Sequence, residues 1–253
     1  MFSRIVNAMP HPQNALDIFQ GEWAARFPSK LDLVAGGFHG DLFNDPRLAA
    51  AEERLGGFAD KTILELGPFE GYHTAMLEAR GARHITAIEA NTRSFLKCLI
   101  TKEVMGLVRT SILLGNFVDF MSATKQRFDI LIASGVLYHL PHPDEALKLM
   151  SKVSDRIFIQ THYYDHAHIS KSRFASQFTE VPGQGENKTI AYYRMEYQDR
   201  ESPLYNGGVN AHTHWLNRDD MISILEGLGF AIDIVFEESD NPNGPVLSFS
   251  ATR

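Results

Sequence analysis

The sequence predicts an α/β chain built on a seven-stranded, mostly parallel sheet with helices on both faces. Three observations carry this. From residue 61 onward, short apolar runs alternate with helical stretches, the pattern of parallel strands joined by right-handed crossovers. The runs are continuously apolar rather than alternating, as suits strands covered on both sides. A glycine-bearing turn directly follows the first run, at the carboxyl edge where open parallel sheets bind ligands.

Residues 1–60 are irregular, with Pro10, Pro12, Pro28 and Pro46. Leu16, Phe19 and Trp23 at helical spacing predict an amphipathic helix over 15–26 that anchors this extension and serves as a lid. Asp45-Pro46 opens a second helix over 47–55. Five strands are expected over 62–66, 84–89, 110–114, 128–133 and 156–161. Helices are expected over 71–80, 92–104, 117–123 and 143–153 between them. In the second of these, Phe95, Leu96, Leu99, Ile100 and Val104 form the expected apolar side. Pro143, followed by Asp144 and Glu145, marks the start of the last. Residues 162–214 break the rhythm; rich in His, Tyr, Gly and Asn, they are expected to form an inserted substrate cap. Asn217 caps a helix over 218–228 that Gly229 ends. Strands over 230–236 and 246–252 follow, joined by a turn that suits a hairpin, so the last strand runs antiparallel. The expected divisions are 1–60, 61–161, 162–214 and 215–253.

Composition narrows the function classes. Among 253 residues, 24 Lys and Arg face 31 Asp and Glu, a net charge of -7. Such a chain has no general electrostatic grip on nucleic acid. The single cysteine, Cys98, excludes an internal disulfide framework and any cysteine-rich zinc cluster. No apolar run approaches the length of a membrane span, and the start has no secretory pattern. A soluble, cytoplasmic protein with no membrane partner is expected, and its oligomeric state is left open.

The turn itself reads Glu65-Leu66-Gly67-Pro68-Phe69-Glu70-Gly71. Its glycines are four apart and no Lys-Ser/Thr follows, so it is neither a dinucleotide fingerprint nor a P-loop. Glu89 closes the second strand about twenty residues later, where an acid accepts hydrogen bonds from ribose hydroxyls. Loop and acid together suit a nucleoside ligand.

These residues resemble the class I S-adenosylmethionine-dependent methyltransferases. ILELGPFEG is similar to the family's first motif and ITAIEAN to its second-strand acid. Gly115-Asn116-Phe117 stands at its adenine contact, and Ala133–Leu140 (ASGVLYHL) resembles the motif after its fourth strand. The resemblance covers roughly residues 60–161 and implies a Rossmann-like fold and S-adenosylmethionine as cofactor. It further implies that Glu65, Gly67, Pro68, Phe69 and Gly71 line the methionine end. Glu89 would hold the ribose, Ala90, Asn91, Asn116 and Phe117 would border the adenine, and Ser134 and Gly135 would approach the amino-acid portion. Two positions depart from the family pattern: Phe69 replaces a glycine and Asn116 an acid. Gly71-Tyr72-His73, Phe95–Cys98 and Gly135–His139 are similar to the tRNA wobble-uridine carboxymethyltransferase branch. The acidic balance argues against a tRNA partner, so a small-molecule methyl acceptor, methylated at oxygen or nitrogen, is the expected partner. A wobble-uridine-type enzyme and a non-catalytic cofactor-binding protein are the alternatives.

Methyl transfer from a sulfonium is an in-line displacement that needs alignment and exclusion of water. A hydroxyl nucleophile also benefits from a base near neutrality. His162, His139 and His214 are the candidates, and Tyr138, Tyr163 and Tyr164 the candidate substrate wall. The histidines at 162, 166, 168, 212 and 214, with Asp165, match no closed zinc spacing, and no metal is expected.

Overall fold

The computed structural model describes residues 5–37, 39–182 and 190–253. Its main sheet holds β1 (Thr62–Leu66), β2 (His84–Glu89), β3 (Thr110–Leu114), β4 (Ile130–Ser134) and β5 (Arg156–His162) in parallel. Strand order is β3-β2-β1-β4-β5, then β10 (Val246–Thr252) and β9 (Ala231–Glu238). The last strand is the reversed one: β10 pairs antiparallel with both β5 and β9, with a register shift at Ser248/Phe249. Successive crossovers leave β1 on opposite sides, toward β2 and β4, so a crevice opens beyond the carboxyl ends of these two strands.

Alternation along the strands divides the core into two layers. Leu64, Leu66, Leu131, Ala133, Ile157, Ile159, Leu247 and Phe249 face α5 (Phe117–Ala123), α6 (Pro143–Val153) and α8 (Arg218–Gly227). Ile63, Ile85, Ala87, Ile130, Ile132 and Phe158 face α2 (Pro46–Arg54) and α3 (Tyr72–Ala79). The helices begin on side-chain caps: Asp45 accepts from the Arg47 amide, Asn91 from Arg93 and Ser94, Asn116 from Val118, and Asn217 from Asp220.

Two expected elements differ. The helix over 15–26 is instead a short α1 (Pro12–Leu16) and a 3-10 turn, after which Gly21 at φ 82 breaks the path. Leu16, Phe19, Trp23 and Phe27 are nonetheless buried, packed on Ile100, Val104 and Met105 of α4 (Thr92–Met105). In α4 the buried face is Ser94, Lys97, Cys98 and Thr101, while Leu96 and Leu99 are exposed. The small side chains let the glycine turn approach closely: a Cβ at Gly71 would touch Thr101 and Cys98. Lys97 accepts burial because its Nζ meets Glu70 Oε1 at 3.0 Å and the Glu22 carbonyl at 2.6 Å.

The inserted stretch is not plain loop. After α7 (His166–Ile169) it forms a separate antiparallel sheet of β6 (Phe178–Pro182), β7 (Ala191–Glu196) and β8 (His212–Trp215). Ile190 and Tyr192 seat it on the hydrophobic core, and polar bonds fix it there: the His214 amide donates to the Leu140 carbonyl, and the Tyr192 hydroxyl bonds Asp144. Among the described residues, no helix is long and apolar enough to cross a membrane.

Candidate functional site

A cleft of about 730 Å³ lies at the crevice. Gly67, Pro68 and Phe69 follow β1, Glu89, Ala90 and Asn91 close β2, and Asn116 and Phe117 follow β3. Ser134, Gly135, Tyr138 and His139 come from the end of β4. These twelve of the expected site residues line one cavity. Glu65, Gly71, His162, His214, Tyr163 and Tyr164 do not line it.

The turn is shaped by backbone constraint. Gly67 stands at φ 61, and a Cβ there would lie 2.5 Å from Val136 Cγ1. Gly67→Ala therefore combines left-handed strain with overlap and should cost about 2 kcal/mol, read as a lower thermal midpoint. Adding Val136→Ala should restore part of the loss; a pair no better than the single variant would refute the overlap. Phe69 adopts φ 59, a left-handed conformation that favours glycine. Its ring lies 5.9 Å from Lys97 Nζ, which also sits over Phe19 and Trp23. Cys98 Sγ donates to the Phe69 carbonyl.

Glu89 ties the turn to the end of β2. Its Oε2 accepts from the Phe69 amide at 3.1 Å and its Oε1 from the Asn91 amide at 2.8 Å. Burial raises its pKa, and these amides oppose the rise. Glu65 lies behind the turn, buried, with Thr74 Oγ1 donating to it at 2.5 Å; burial pushes its pKa up to about 7. Glu70 accepts from the amides of Ala24 and Ala25 as well as from Lys97, and so pins the N-terminal segment to the turn.

The sequence reading missed two cationic lining residues, Arg200 and, at the start of α2, Arg47. Asp45 holds the Arg47 Nε and Nη2, at 2.9 and 2.5 Å, while His73 Nε2 contacts the same carboxylate at 2.9 Å. These partners hold Asp45 well below the usual carboxylate range, against its burial. The guanidinium acts electrostatically on Tyr72 and Tyr138. Tyr72 begins α3 directly after the glycine turn, and Tyr138 Oη approaches Gly135. The inserted stretch supplies another wall, Arg200 and Tyr205 to Asn210. Its Tyr205 carbonyl accepts from Asn91 Nδ2, and a Cβ on Gly208 would lie 2.1 Å from the His139 carbonyl oxygen.

The three histidines occupy different settings. His139 lines the cleft, with Nδ1 2.6 Å from the Tyr197 hydroxyl, and burial lowers its pKa to about 3. His162 stacks on Trp215 and meets the edge of Tyr138 at 4.7 Å between centroids; its Nδ1 lies 2.9 Å from the Gly244 carbonyl. His214 stacks on Tyr192 with Nδ1 against the Pro141 carbonyl, and its buried Nε2 has no hydrogen-bond partner among the described residues. Tyr163 bonds Glu237, and Tyr164 stacks on Tyr193 outside the cleft. Asn116 spends its side-chain oxygen on the Val118 amide. Among the described residues, no group of three or more His, Cys, Asp or Glu stands close enough to hold a metal.

Comparison with known proteins agrees with this architecture. The N-terminal domain of EvdMO1, crystallised in the presence of SAH and D-fucose, superposes with a TM-score of 0.70 at 22% identity, over 95% of this chain and 94% of that one. The 1,6-didemethyltoxoflavin-N1-methyltransferase of Burkholderia thailandensis, with bound 1,6-didemethyltoxoflavin and S-adenosylhomocysteine, superposes at a TM-score of 0.51 with 15% identity, over 84% of this chain and 79% of that one. A curated tRNA U34 carboxymethyltransferase of Marinobacter nauticus is 31% identical over 96 residues, 38% of this chain and 29% of that protein. The chain thus matches less than a third of that relative's length. A family described as a methyltransferase domain matches residues 41–234, which include β1 to β5, α8 and the cleft between them: the chain belongs to this methyltransferase family.

Proposed function

We propose that the protein transfers a methyl group from S-adenosylmethionine to oxygen or nitrogen of a small-molecule acceptor. The observation that carries this is the single cleft in which the glycine turn, the Glu89 carboxylate and the β4 end meet. The residues fit the cofactor: Gly67, Pro68 and Phe69 of the turn line the cleft, and Glu89 offers an acceptor beside them at the end of β2. When bound, the cofactor supplies the activated methyl. Glu89 holds the ribose, Ala90, Asn91, Asn116 and Phe117 border the adenine, and Ser134 and Gly135 take the amino-acid portion.

Arg47 receives the cofactor carboxylate, because it stands between the start of α3 and the β4 loop and carries the charge that group needs. Residues 1–60 act as the lid and 162–214 as the substrate cap, which exclude water and align the acceptor. For a hydroxyl acceptor the candidate base is His162; it stands one ring behind Tyr138, outside the cleft lining, and would take the proton through a bridging water. Its Nδ1 faces a carbonyl, which leaves Nε2 unprotonated.

Calorimetry with S-adenosylhomocysteine tests the reading, and absence of binding would remove it. Arg47→Ala should weaken S-adenosylhomocysteine about tenfold, or ~1.4 kcal/mol. It should leave 5′-methylthioadenosine, which lacks the amino-acid portion, unchanged. Equal losses for both ligands would refute the carboxylate contact.

The match to the wobble-uridine enzyme supports a second reading, a carboxymethyl transfer to tRNA. A carboxylated cofactor co-purifying with the protein, seen by mass spectrometry, would favour it.

A further inference from the structure

Gln160 lines the cleft from β5, and the methyl-transfer reading gives it no task. Its backbone is fixed in mid-sheet. It pairs with Ser134 of β4 on one side and Ser248 of β10 on the other, and its carbonyl accepts from the Gly135 amide at 2.9 Å. The residue is only 7% exposed. Its carboxamide nonetheless forms no hydrogen bond among the described residues, and neither of its polar atoms is enclosed, so both open on the cleft. A carboxamide unpaired at this depth is disfavoured unless a ligand or a water completes it.

A second unspent group stands beside it. The Tyr138 hydroxyl and the Gln160 carboxamide oxygen each lie 3.8 Å from the point where a Cβ on Gly135 would stand. Gly135, at φ 79, carries no side chain and leaves that space open. The Tyr138 hydroxyl also has no hydrogen-bond partner among the described residues. Burial pushes its pKa up to about 12, so it stays a neutral phenol. Both groups can donate and accept, and neither carries charge. Strand order says which ligand meets them. The residues assigned to the cofactor follow β2, β1 and β4, whereas Gln160 stands on β5, the next strand outward. A molecule that reaches it lies beyond the cofactor.

We infer that Gln160, with Tyr138 across Gly135, seats a neutral group of the methyl acceptor that offers a hydrogen-bond donor beside an acceptor. Cis-amides and vicinal diols have that chemistry; a carboxylate lacks the donor and an ammonium ion the acceptor. This seat rests on the methyl-transfer reading and deepens it by naming the acceptor's class. Gln160 is then a specificity-determining residue, holding a part of the acceptor other than the methylated atom.

The test is a ligand-observed NMR titration of protein saturated with S-adenosylhomocysteine. The probes share a six-membered ring and differ in the polar group: δ-valerolactam for the amide, cis-1,2-cyclohexanediol for the diol, and cyclohexanecarboxylate as the charged control. At least one neutral probe should bind, and Gln160→Leu should weaken it about tenfold. Gln160→Asn, which keeps the carboxamide but withdraws it by one methylene, should fall between. Calorimetry should find the S-adenosylhomocysteine affinity of Gln160→Leu within about twofold of wild type. The stronger neutral probe tells amide from diol. Failure of both neutral probes would overturn the inference, leaving water as the partner of the carboxamide. So would tighter binding of the carboxylate, or a neutral probe indifferent to Gln160→Leu. An equal loss of S-adenosylhomocysteine would overturn it too, by making Gln160 a cofactor contact. If Gln160→Leu does not fold, Gln160→Asn decides by the same comparison. If S-adenosylhomocysteine does not bind the wild-type protein, methyl transfer fails, and titration of the free protein still decides whether the seat exists.

Discussion

Lys97→Ala should destabilise the fold by about 4 kcal/mol, because it strands the Glu70 carboxylate in a buried site. The side chains of Lys97 and Glu70 are 5% and 1% exposed, and their 3.0 Å contact is accompanied by bonds to the backbone of the N-terminal segment. Removing the cation leaves the carboxylate with only the Ala24 and Ala25 amides, and opens a gap beneath Phe19, Trp23 and Phe69. For a chain of this size the thermal midpoint should fall by roughly 10 °C. Protease should first cut near residues 20–40, where the segment is held by these contacts. The double variant Lys97→Met/Glu70→Gln should recover much of the loss, since replacing both charges removes the uncompensated one. A midpoint unchanged in Lys97→Ala would mean that Glu70 finds another partner and the pair carries little.

Glu89→Ala should weaken S-adenosylhomocysteine about a hundredfold, or ~2.7 kcal/mol. Two contributions add. The ribose hydroxyls lose a charged acceptor, and hydrogen bonds to charged groups are worth roughly 1.5–3 kcal/mol. The Phe69 and Asn91 amides lose theirs as well, so the turn and the start of α4 are no longer held in register. Glu89→Gln keeps one acceptor oxygen and should fall between. An affinity unchanged in Glu89→Ala would sink the ribose assignment. The midpoint without ligand separates a lost contact from a lost fold.

The sheet was legible because its strands are buried on both faces and read as apolar runs: TILEL, HITAIE and RIFIQT need no tertiary knowledge. The reversed last strand followed from the Asn-Pro-Asn-Gly turn before it. Periodicity failed where charge pairing decided the buried side. In α4 the apolar stripe through Leu96 and Leu99 faces out, because Lys97 is neutralised by a residue 27 positions away. In the N-terminal segment Leu16, Phe19 and Trp23 have helical spacing by coincidence, and Gly21 is the signal that argues against one continuous helix. The strands of the inserted stretch were missed because they are polar and aromatic rather than aliphatic, as in HTHW. Arg47 hid within a helix-start signal. Its pairing with Asp45 two residues earlier was the available clue, but only the fold brings His73 and the cleft beside them.

The insertion of β10 between β5 and β9 carries a consequence for synthesis. Residues 246–252 reach the ribosome's exit after everything they separate. Until then the β5 edge, carrying Ile157, Phe158 and Ile159, has no neighbour on that side, and β9 has no place to dock. A nascent chain halted before residue 246 would therefore expose an adhesive border and depend on chaperones. Emergence of β10 closes that border and, through the Tyr163 amide bond to the Pro245 carbonyl, fixes the start of the inserted stretch.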